Sequence, residues 1–297
     1  MIYRQLGRSG LEVSVVSFGC MSLGDDHAVN ERLIHRALEL GVNYFDTADL
    51  YQHGENEASV GKALQGRRPS IFLATKVGNR WRPDGSGWDW DPSRSHIERA
   101  VQDSLRRLRT DYIDVYQLHG GTIEDPIDEA IEAFEALRQA GAIRHYGISS
   151  IRPNVIAEWV KRSGLASVMM QYSLLDRRPE ESGLDLLREH DVGVVVRGGL
   201  AKGLLAAKPS ALYLDHSEVD IAAAQRLLGS VAGDAAPAHV ALRYCLAHPG
   251  VTTVACGIRT MAQLEENVAA TTLPPLAAAD LETLRAGVRA YRYEVYR

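Results

Sequence analysis

The strongest constraint on the fold is a series of short apolar runs that recurs along the whole chain. Most of these runs are apolar almost throughout, which is typical of strands that are buried on both faces. Stretches with helical periodicity separate them. The eight runs span residues 15–20, 42–47, 71–76, 112–119, 145–149, 167–172, 192–197 and 251–256.

Three of the intervening stretches show the helical pattern clearly. Apolar residues recur at helical spacing over 33–38, 97–108 and 127–137. Gly141 follows the third stretch as a C-terminal stop signal, and Pro126 precedes it at a place where a first helical turn accepts proline. The chain therefore alternates strands with helices.

This alternation predicts a parallel sheet, because parallel neighbours need helical crossovers. Eight such units in 297 residues match the size of a (β/α)8 TIM barrel. A doubly wound sheet is the alternative, but it usually carries GxGxxG after its first strand, and Gly85-Ser86-Gly87 lacks the third glycine. We therefore predict an α/β fold of the barrel type, with residues 1–297 forming a single domain.

Four segments fall outside the eight units. Residues 1–14 predict an N-terminal β-hairpin, and residues 218–230 and 278–290 predict two extra helices. Residues 78–93 predict a long loop, and loops of this length are often functional. Three tryptophans lie in that loop, namely Trp81, Trp88 and Trp90.

Composition excludes several classes of function. The 33 basic and 38 acidic residues give a formal net charge of −5, which argues against nucleic acid as a partner. No apolar stretch approaches the roughly 18 residues of a membrane span, and the N-terminus lacks an apolar signal core. Cys20, Cys245 and Cys256 form no CxxC pair. We therefore expect no disulfide framework and no metal site, and a cytoplasmic location.

Polar residues stand at or next to the ends of six of the eight runs. In parallel barrels the catalytic residues lie at the C-terminal ends of strands, so this placement indicates a site. The alternative is that strand ends simply meet solvent, where polar residues belong. The six residues are Asp46, Lys76, His119, Ser149, Gln171 and Arg197.

Tyr51, five residues after Asp46, has the position to act as an acid. A phenol has a pKa near ~10, and an ammonium about 4 Å away lowers it by up to ~3 units at an effective dielectric of ~20. We therefore expect Lys76 to bring the phenol toward neutral pH and Asp46 to hold Lys76. His119 would orient a carbonyl or relay a proton. Such a site needs a cofactor to supply electrons.

At these residues the sequence resembles the aldo-keto reductase family. The resemblance extends over nearly the whole chain, and the ordered series of motifs is far more specific than the four residues alone. The motifs are VNYFDTADLY at 42–51, FLATK at 72–76, DYIDVYQLH at 111–119, GISS at 147–150, QYSLLDR at 171–177, LAKGLL at 200–205 and GIRTMAQLEEN at 257–267.

The resemblance implies NADPH-dependent reduction of a small aldehyde or ketone to the alcohol. Tyr51 would be the general acid, Lys76 and Asp46 would tune its phenol, and His119 would position the carbonyl. Ser149 and Gln171 would bind the nicotinamide carboxamide. The remaining cofactor contacts implied by the family are Leu200, Ala201, Gly203 and Leu205 along the pyrophosphate, and Gly257, Arg259, Gln263, Glu266 and Asn267 around the adenosine.

Three positions depart from the usual pattern of the family. Ser150 replaces a common asparagine, and Gly120-Gly121 replace a common proline-aspartate pair, which predicts a more mobile loop. Arg197 replaces the aromatic residue that stacks on nicotinamide, and its planar guanidinium can also stack on a ring.

Two other functions remain open from the sequence. A nicotinamide-binding regulatory subunit would keep the same residues. A cofactor-free lyase or isomerase would use Lys76 as a Schiff base and Gly257 in a phosphate loop. The tryptophan loop either lines the mouth and favours apolar carbonyls or pins itself to the barrel, and the sequence predicts no oligomeric state.

Overall fold

The computed structural model describes residues 1–206 and 208–297. The strands are β1 (Tyr3–Gln5), β2 (Glu12–Ser14), β3 (Val16–Gly19), β4 (Tyr44–Asp46), β5 (Phe72–Val77), β6 (Asn79–Trp81), β7 (Trp88–Trp90), β8 (Ile113–Leu118), β9 (Ile143–Ser149), β10 (Ser167–Gln171), β11 (Gly193–Arg197) and β12 (Val251–Gly257). The helices are α1 (His27–Glu39), α2 (Glu55–Ala63), α3 (Arg94–Leu108), α4 (Ile127–Gln139), α5 (Pro153–Arg162), α6 (Gly183–Glu189), α7 (Glu218–Ala232), α8 (Pro237–Ala247), α9 (Met261–Ala269) and α10 (Ala278–Gly287).

The eight apolar runs form the closed parallel barrel that the sequence predicts. The strand order is β3-β4-β5-β8-β9-β10-β11-β12, and β12 pairs with β3 to complete the ring. A helix follows each of these strands and covers the outside of the ring. No helix of the described ranges is both long and apolar enough to cross a membrane.

The predicted N-terminal hairpin is confirmed, and it closes the bottom of the barrel. Strands β1 and β2 pair in antiparallel fashion, and the backbone N–H of Arg8 donates to Asp191 O, just before β11. Gly7 has a φ of 49°, and a Cβ there would lie 2.4 Å from the backbone nitrogen of Gly193. Only glycine permits this close approach.

The two extra helices are also confirmed, as α7 and α10. They pack against each other closely, since a Cβ on Gly287 would lie 2.3 Å from a side-chain carbon of Leu227. The long loop expected over 78–93 is wrong in part. Within it, β6 and β7 form a two-stranded antiparallel ribbon, because Asn79 pairs with Trp90 and Trp81 with Trp88.

Two apolar clusters stabilise the fold. The larger one lies between the strands and the surrounding helices. The smaller one fills the lower part of the barrel interior, so the barrel is a packed core and only its upper end is available for chemistry. The smaller cluster consists of Leu6, Leu11, Val13, Tyr44, Ala74, Val115, Met169 and Val195.

Candidate active site

Side-chain alternation along the strands places a layer of polar residues on top of the packed barrel interior. A residue two positions after an interior apolar residue lies on the same face of its strand. Strand register aligns neighbouring members, as Met169 pairs with Val195 and Gln171 pairs with Arg197. The lower and upper members are Tyr44 and Asp46, Ala74 and Lys76, Val115 and Gln117, Met169 and Gln171, and Val195 and Arg197.

Lys76 is the centre of this polar layer. Its fully buried Nζ lies 2.6 Å from Asp46 Oδ1, 2.6 Å from the carbonyl oxygen of Thr47 and 3.4 Å from the hydroxyl of Tyr51. An ammonium has three N–H donors, so these contacts use all of them. The arrangement fits a charged lysine and does not fit the free amine that a Schiff base requires.

Gln117 completes the environment of Asp46. Its Nε2 donates to Asp46 Oδ2 at 3.2 Å, so both carboxylate oxygens of this buried residue accept a hydrogen bond. Neither Gln117 nor the carbonyl of Thr47 was predicted from the sequence. The signal for Gln117 is its position two residues before His119 in the apolar run at 112–119, since residues two apart in a strand lie on the same face.

The turn that carries Tyr51 has a rare backbone conformation. Gln52 and His53 have φ values of 49° and 55°, in the left-handed region that non-glycine residues seldom occupy. The ring of His53 stacks on Trp81 at 3.7 Å, and Trp81 Nε1 donates to the carbonyl oxygen of Leu50 at 3.2 Å. The β6–β7 ribbon therefore holds this turn in place beside the site.

Burial determines the protonation of Tyr51 and Lys76. Burial raises the pKa of Tyr51, because the phenolate would lose its hydration, and the Lys76 ammonium opposes only part of this effect. The expectation of a lowered phenol pKa is therefore wrong. Burial disfavours the ammonium of Lys76, but Asp46 and Tyr51 together outweigh this and raise its pKa. Tyr51 keeps its proton while Lys76 keeps its charge.

His119 lies edge-on to Tyr51, with ring centroids 5.8 Å apart. Burial, together with the positive charges of Lys76 and Arg197, lowers the pKa of His119 to about 3. Its Nδ1 is buried and has no hydrogen-bond partner within the described residues. A neutral imidazole offers one donor and one acceptor, so His119 is suited to orient a carbonyl and is not suited to deliver a proton near neutral pH.

Gln171 and Arg197 form a hydrogen-bonded pair at the mouth. Gln171 Oε1 accepts from Arg197 Nη1 at 2.8 Å, and Gln171 Nε2 donates to Asp176 Oδ2 at 2.8 Å. The guanidinium of Arg197 is exposed and therefore remains accessible to a ligand. Sequence reasoning did not identify Asp176, whose only signal is its place five residues after Gln171 in the QYSLLDR motif.

Two serines lie at the C-terminal end of β9, the strand next to β10. Ser149 is the last residue of β9, is only half-buried, and pairs with Met169 of β10. Ser150 is buried, and its hydroxyl accepts a hydrogen bond from the backbone N–H of Arg152 at 3.1 Å. Replacement of a common asparagine by Ser150 thus leaves a hydroxyl that closes a turn and still has its own proton to donate.

The segment expected along a pyrophosphate contains unusual backbone angles. Ala201, Lys202 and Gly203 have φ values of 46°, 58° and 93°. Consecutive left-handed residues are uncommon, and such strain concentrates at ligand sites. The backbone N–H of Leu205 donates to Leu200 O at 3.2 Å, which closes this segment into a tight loop.

Two of the residues expected at the adenosine end lie close to the loop at residues 21–26. Arg259 is exposed and lines a cavity of about 390 Å³ together with residues 21–26. Gly257 ends β12 beside that segment, and a Cβ there would lie 2.5 Å from Ser22 Oγ. The glycine therefore permits the loops after the first and last barrel strands to meet.

The other three residues of that group lie on α9. Gln263 is exposed, and its Oε1 accepts from the backbone N–H of Arg259 at 2.9 Å, which ties the side chain to the start of the helix. Glu266 is exposed one turn later, whereas Asn267 is buried. The structure thus brings Arg259, Gln263 and Glu266 to one surface and places Asn267 behind it.

The three tryptophans of the 78–93 segment have different environments. Trp81 lies beside the Tyr51 turn, whereas Trp88 is 48% exposed. Trp90 Nε1 donates to Asp125, and the indole covers Gly120, where a Cβ would lie 3.3 Å from the ring. One tryptophan therefore borders the site and another pins the segment to the barrel.

The structure is thus a (β/α)8 barrel with a buried lysine–carboxylate pair in contact with a tyrosine at its C-terminal mouth. The model of the Aldo/keto reductase family matches residues 15–288. The chain belongs to the aldo/keto reductase family, whose members are oxidoreductases that use nicotinamide cofactors.

Individual relatives agree with this assignment. The chain is 50% identical to the oxidoreductase YqkF of Bacillus subtilis, over 99% of both chains. It is 32% identical to a Schizosaccharomyces pombe aldo-keto reductase named with NADP(+), over 65% of this chain and 60% of that relative. The holo form of a Bacillus halodurans aldo-keto reductase superposes with a TM-score of 0.95 at 54% identity, covering 100% of this chain and 99% of that one.

Proposed function

We propose that this protein reduces an aldehyde or ketone to the alcohol with NADPH, and that Tyr51 is the general acid. The observation that carries this proposal is the buried contact of Lys76 with both Asp46 and Tyr51. This contact joins a protonated phenol to a fixed, fully buried positive charge. A bound reduced nicotinamide would supply a hydride to the carbonyl carbon.

Each residue of the site has a separate task in the proposed reaction. Tyr51 donates its proton to the carbonyl oxygen, and the Lys76 ammonium stabilises the phenolate that remains. Asp46 and Gln117 keep Lys76 charged and oriented. His119 donates a hydrogen bond that aligns the carbonyl oxygen with Tyr51. The raised pKa of Tyr51 means that the phenol is protonated before the substrate reacts.

The proposed cofactor fits the donors and acceptors around the mouth. Gln171 and Ser149 offer an acceptor and a hydroxyl to a carboxamide, and the guanidinium of Arg197 can stack on a pyridinium ring. Arg259 lies just before α9, where a guanidinium and a helix N-terminus both favour a phosphate. We therefore infer NADP as the cofactor, in agreement with the name of the Schizosaccharomyces pombe relative.

The structure also supports an inference about the substrate and one about the cellular compartment. We infer a small-molecule carbonyl that enters beside the stacked pair of His53 and Trp81, whose apolar faces border Tyr51. Cys20, Cys245 and Cys256 are buried free thiols, which suits a reducing compartment such as the cytosol.

The test is NADPH oxidation with a panel of aromatic and aliphatic aldehydes, in the wild type and in Tyr51→Phe. We expect kcat to fall by about 10²–10⁴-fold in Tyr51→Phe, the usual contribution of a general acid, with NADPH affinity unchanged. Tyr44→Phe is the matched control, because Tyr44 is a buried tyrosine of the barrel interior on the same strand as Asp46. Tight NADPH binding without turnover of any aldehyde would instead support the regulatory-subunit alternative.

A further inference from the structure

The hydrogen-bonding capacity of Gln171 is almost completely used. Its Nε2 donates to Asp176 Oδ2 at 2.8 Å and lies 3.4 Å from the hydroxyl of Tyr213. Its Oε1 accepts from Arg197 Nη1 at 2.8 Å. An amide has two N–H donors and two acceptor lone pairs, so both donors have partners and one lone pair remains. The side chain can therefore offer a ligand only an acceptor.

The neighbours of Gln171 determine which way its amide points. Asp176 is 2% exposed, and Arg178 Nε and Nη2 donate to its two oxygens at 2.8 Å each. A carboxylate held by a guanidinium in this way accepts hydrogen bonds and donates none, whereas Arg197 donates and accepts none. If the Gln171 amide were flipped, its oxygen would lie against the Asp176 carboxylate and its NH₂ group against the N–H donors of Arg197. Both contacts would be repulsive. The orientation thus follows from the chemistry of both partners.

We propose that Asp176 is a positioning residue that holds the acceptor oxygen of Gln171 toward the ligand and makes the site select a pyridine nucleotide with an N–H donor on its ring substituent. This inference rests on the proposed function, since it takes a nicotinamide cofactor as the ligand. The carboxamide of nicotinamide supplies such a donor. An acetyl group in the same position has a carbonyl but no N–H.

The first experiment measures this selection in the wild-type protein. Quenching of tryptophan fluorescence gives the affinities of NADP⁺, its thionicotinamide analogue and its 3-acetylpyridine analogue. The first two keep the NH₂ group, so they should bind with similar affinity. The acetylpyridine analogue should bind about fivefold more weakly, the size of one neutral hydrogen bond.

The second experiment changes Asp176 alone. In Asp176→Asn the new NH₂ group can donate to Gln171 Oε1, and the exposed side chain of Arg197 can turn into solvent and remove the opposing N–H. The Gln171 amide can then turn and offer its own NH₂ to the ligand. The preference for NADP⁺ over the acetylpyridine analogue should then fall below about twofold. A purely structural role for Asp176 would instead weaken all ligands by the same factor. Asp185→Asn is the control, since Asp185 is an exposed acid of α6 paired with Arg188, and it should keep the fivefold preference.

Each outcome separates the inference from the proposed function. Equal binding of NADP⁺ and the acetylpyridine analogue to the wild type would overturn the role of Asp176 and leave NADP binding intact. Failure of all three nucleotides to bind would overturn the proposed function itself. Should Asp176→Asn fail to fold, Gln171→Met provides the second variant. It removes the acceptor, so it should bind NADP⁺ and the acetylpyridine analogue equally, and a retained fivefold preference would contradict the inference.

Discussion

The two ends of the barrel each bury a carboxylate, and they treat it differently. At the C-terminal end Asp46 faces Lys76, whose ammonium is completely inaccessible to solvent. At the N-terminal end Asp114 of β8 is equally buried, but its partners Arg68 and Arg144 remain 16% and 48% exposed. The first end takes both charges of its pair out of water, whereas the second leaves its cations partly hydrated.

The N-terminal cluster is built for stability. Arg68 Nη2 lies 2.5 Å and Arg144 Nη1 lies 3.2 Å from the Asp114 carboxylate, which also accepts from the backbone N–H of Leu73 at 2.9 Å. Both guanidiniums also stack on the ring of Tyr112, at 4.1 and 4.0 Å from its centroid. Three segments of chain are thereby joined at the bottom of the barrel.

The contrast shows that the protein bears the cost of desolvating charged groups mainly at the C-terminal end of the barrel. Desolvation of a complete ion pair can exceed its Coulombic attraction, so the Asp46–Lys76 pair contributes little net stability. Planar guanidiniums that stay partly hydrated avoid most of this cost. We expect substitutions at the mouth to abolish activity and those at the bottom to lower stability alone.

Lys76→Met should give the largest effect, because it removes the charge beside Tyr51 and leaves Asp46 buried without its cation. We expect kcat to fall about 10²–10⁴-fold and the free energy of unfolding to fall by about 3–5 kcal/mol. NADPH oxidation and urea denaturation measure the two effects. The double variant Asp46→Asn, Lys76→Met removes both charges and should regain most of the stability without regaining activity. A double variant as unstable as Lys76→Met would contradict the view that the uncompensated charge causes the loss.

Asp114→Asn should reverse this pattern. We expect a loss of about 2–3 kcal/mol of stability, less than for a fully buried pair because Arg144 is half exposed, with kcat within about twofold of wild type. The same denaturation and activity assays apply. Glu39→Gln, which removes one of the two exposed acidic partners of Arg36, should cost below about 0.5 kcal/mol and serves as the control. A tenfold loss of kcat in Asp114→Asn would break the separation of the two ends.

A smaller effect, on the pH dependence of stability, is expected from Asp49 at the mouth of the barrel. Its Oδ1 is buried without a hydrogen-bond partner among the described residues, and burial, with Glu57 nearby, raises its pKa to about 8. An aspartate of the unfolded chain titrates near ~3.9, so the folded protein holds one more proton between these values and loses stability as pH rises through that window.

Asp49→Asn should remove this decline. Urea denaturation at pH 5 and at pH 8 should show that the variant loses less stability than the wild type over the interval. The Lys76 and Arg107 cations and Glu57 all face Asp49 and are present in both proteins, so they cancel in the comparison. Identical pH dependence of the two proteins would show that Asp49 is ionised throughout.

The smallest effect is expected from the titration of His119. Because its pKa is lowered to about 3, the imidazole stays neutral from pH 5 to 7, and kcat/KM should show no inflection near the ~6.5 of a free histidine. A pH profile of NADPH oxidation checks this, with His119→Asn as the reference. A wild-type inflection near pH 6.5 that is absent from His119→Asn would show that the imidazolium takes part.

Most of the fold could be predicted from the sequence, since all eight apolar runs became barrel strands and both extra helices formed. The antiparallel ribbon in residues 78–93 was not predicted from the sequence. Trp81 and Trp88 pair across it, but the first of its two strands shows no alternation of apolar and polar residues. In the site, Asp46 and Lys76 were predicted from their positions at strand ends, and Tyr51 from its place five residues after Asp46. Gln117 and Asp176 were not found, because their importance depends on partners that lie far apart in the chain or in an irregular turn.

The sequence by itself determined the number and order of strands and which residue types reach the barrel mouth, because periodicity and strand length are local properties. Only the tertiary structure decided the protonation of the site. Sequence spacing predicted that Lys76 lowers the pKa of Tyr51, but the packed barrel desolvates the phenol and raises it. Desolvation depends on every atom that excludes water from a group, and these atoms come from strands distributed over the whole chain.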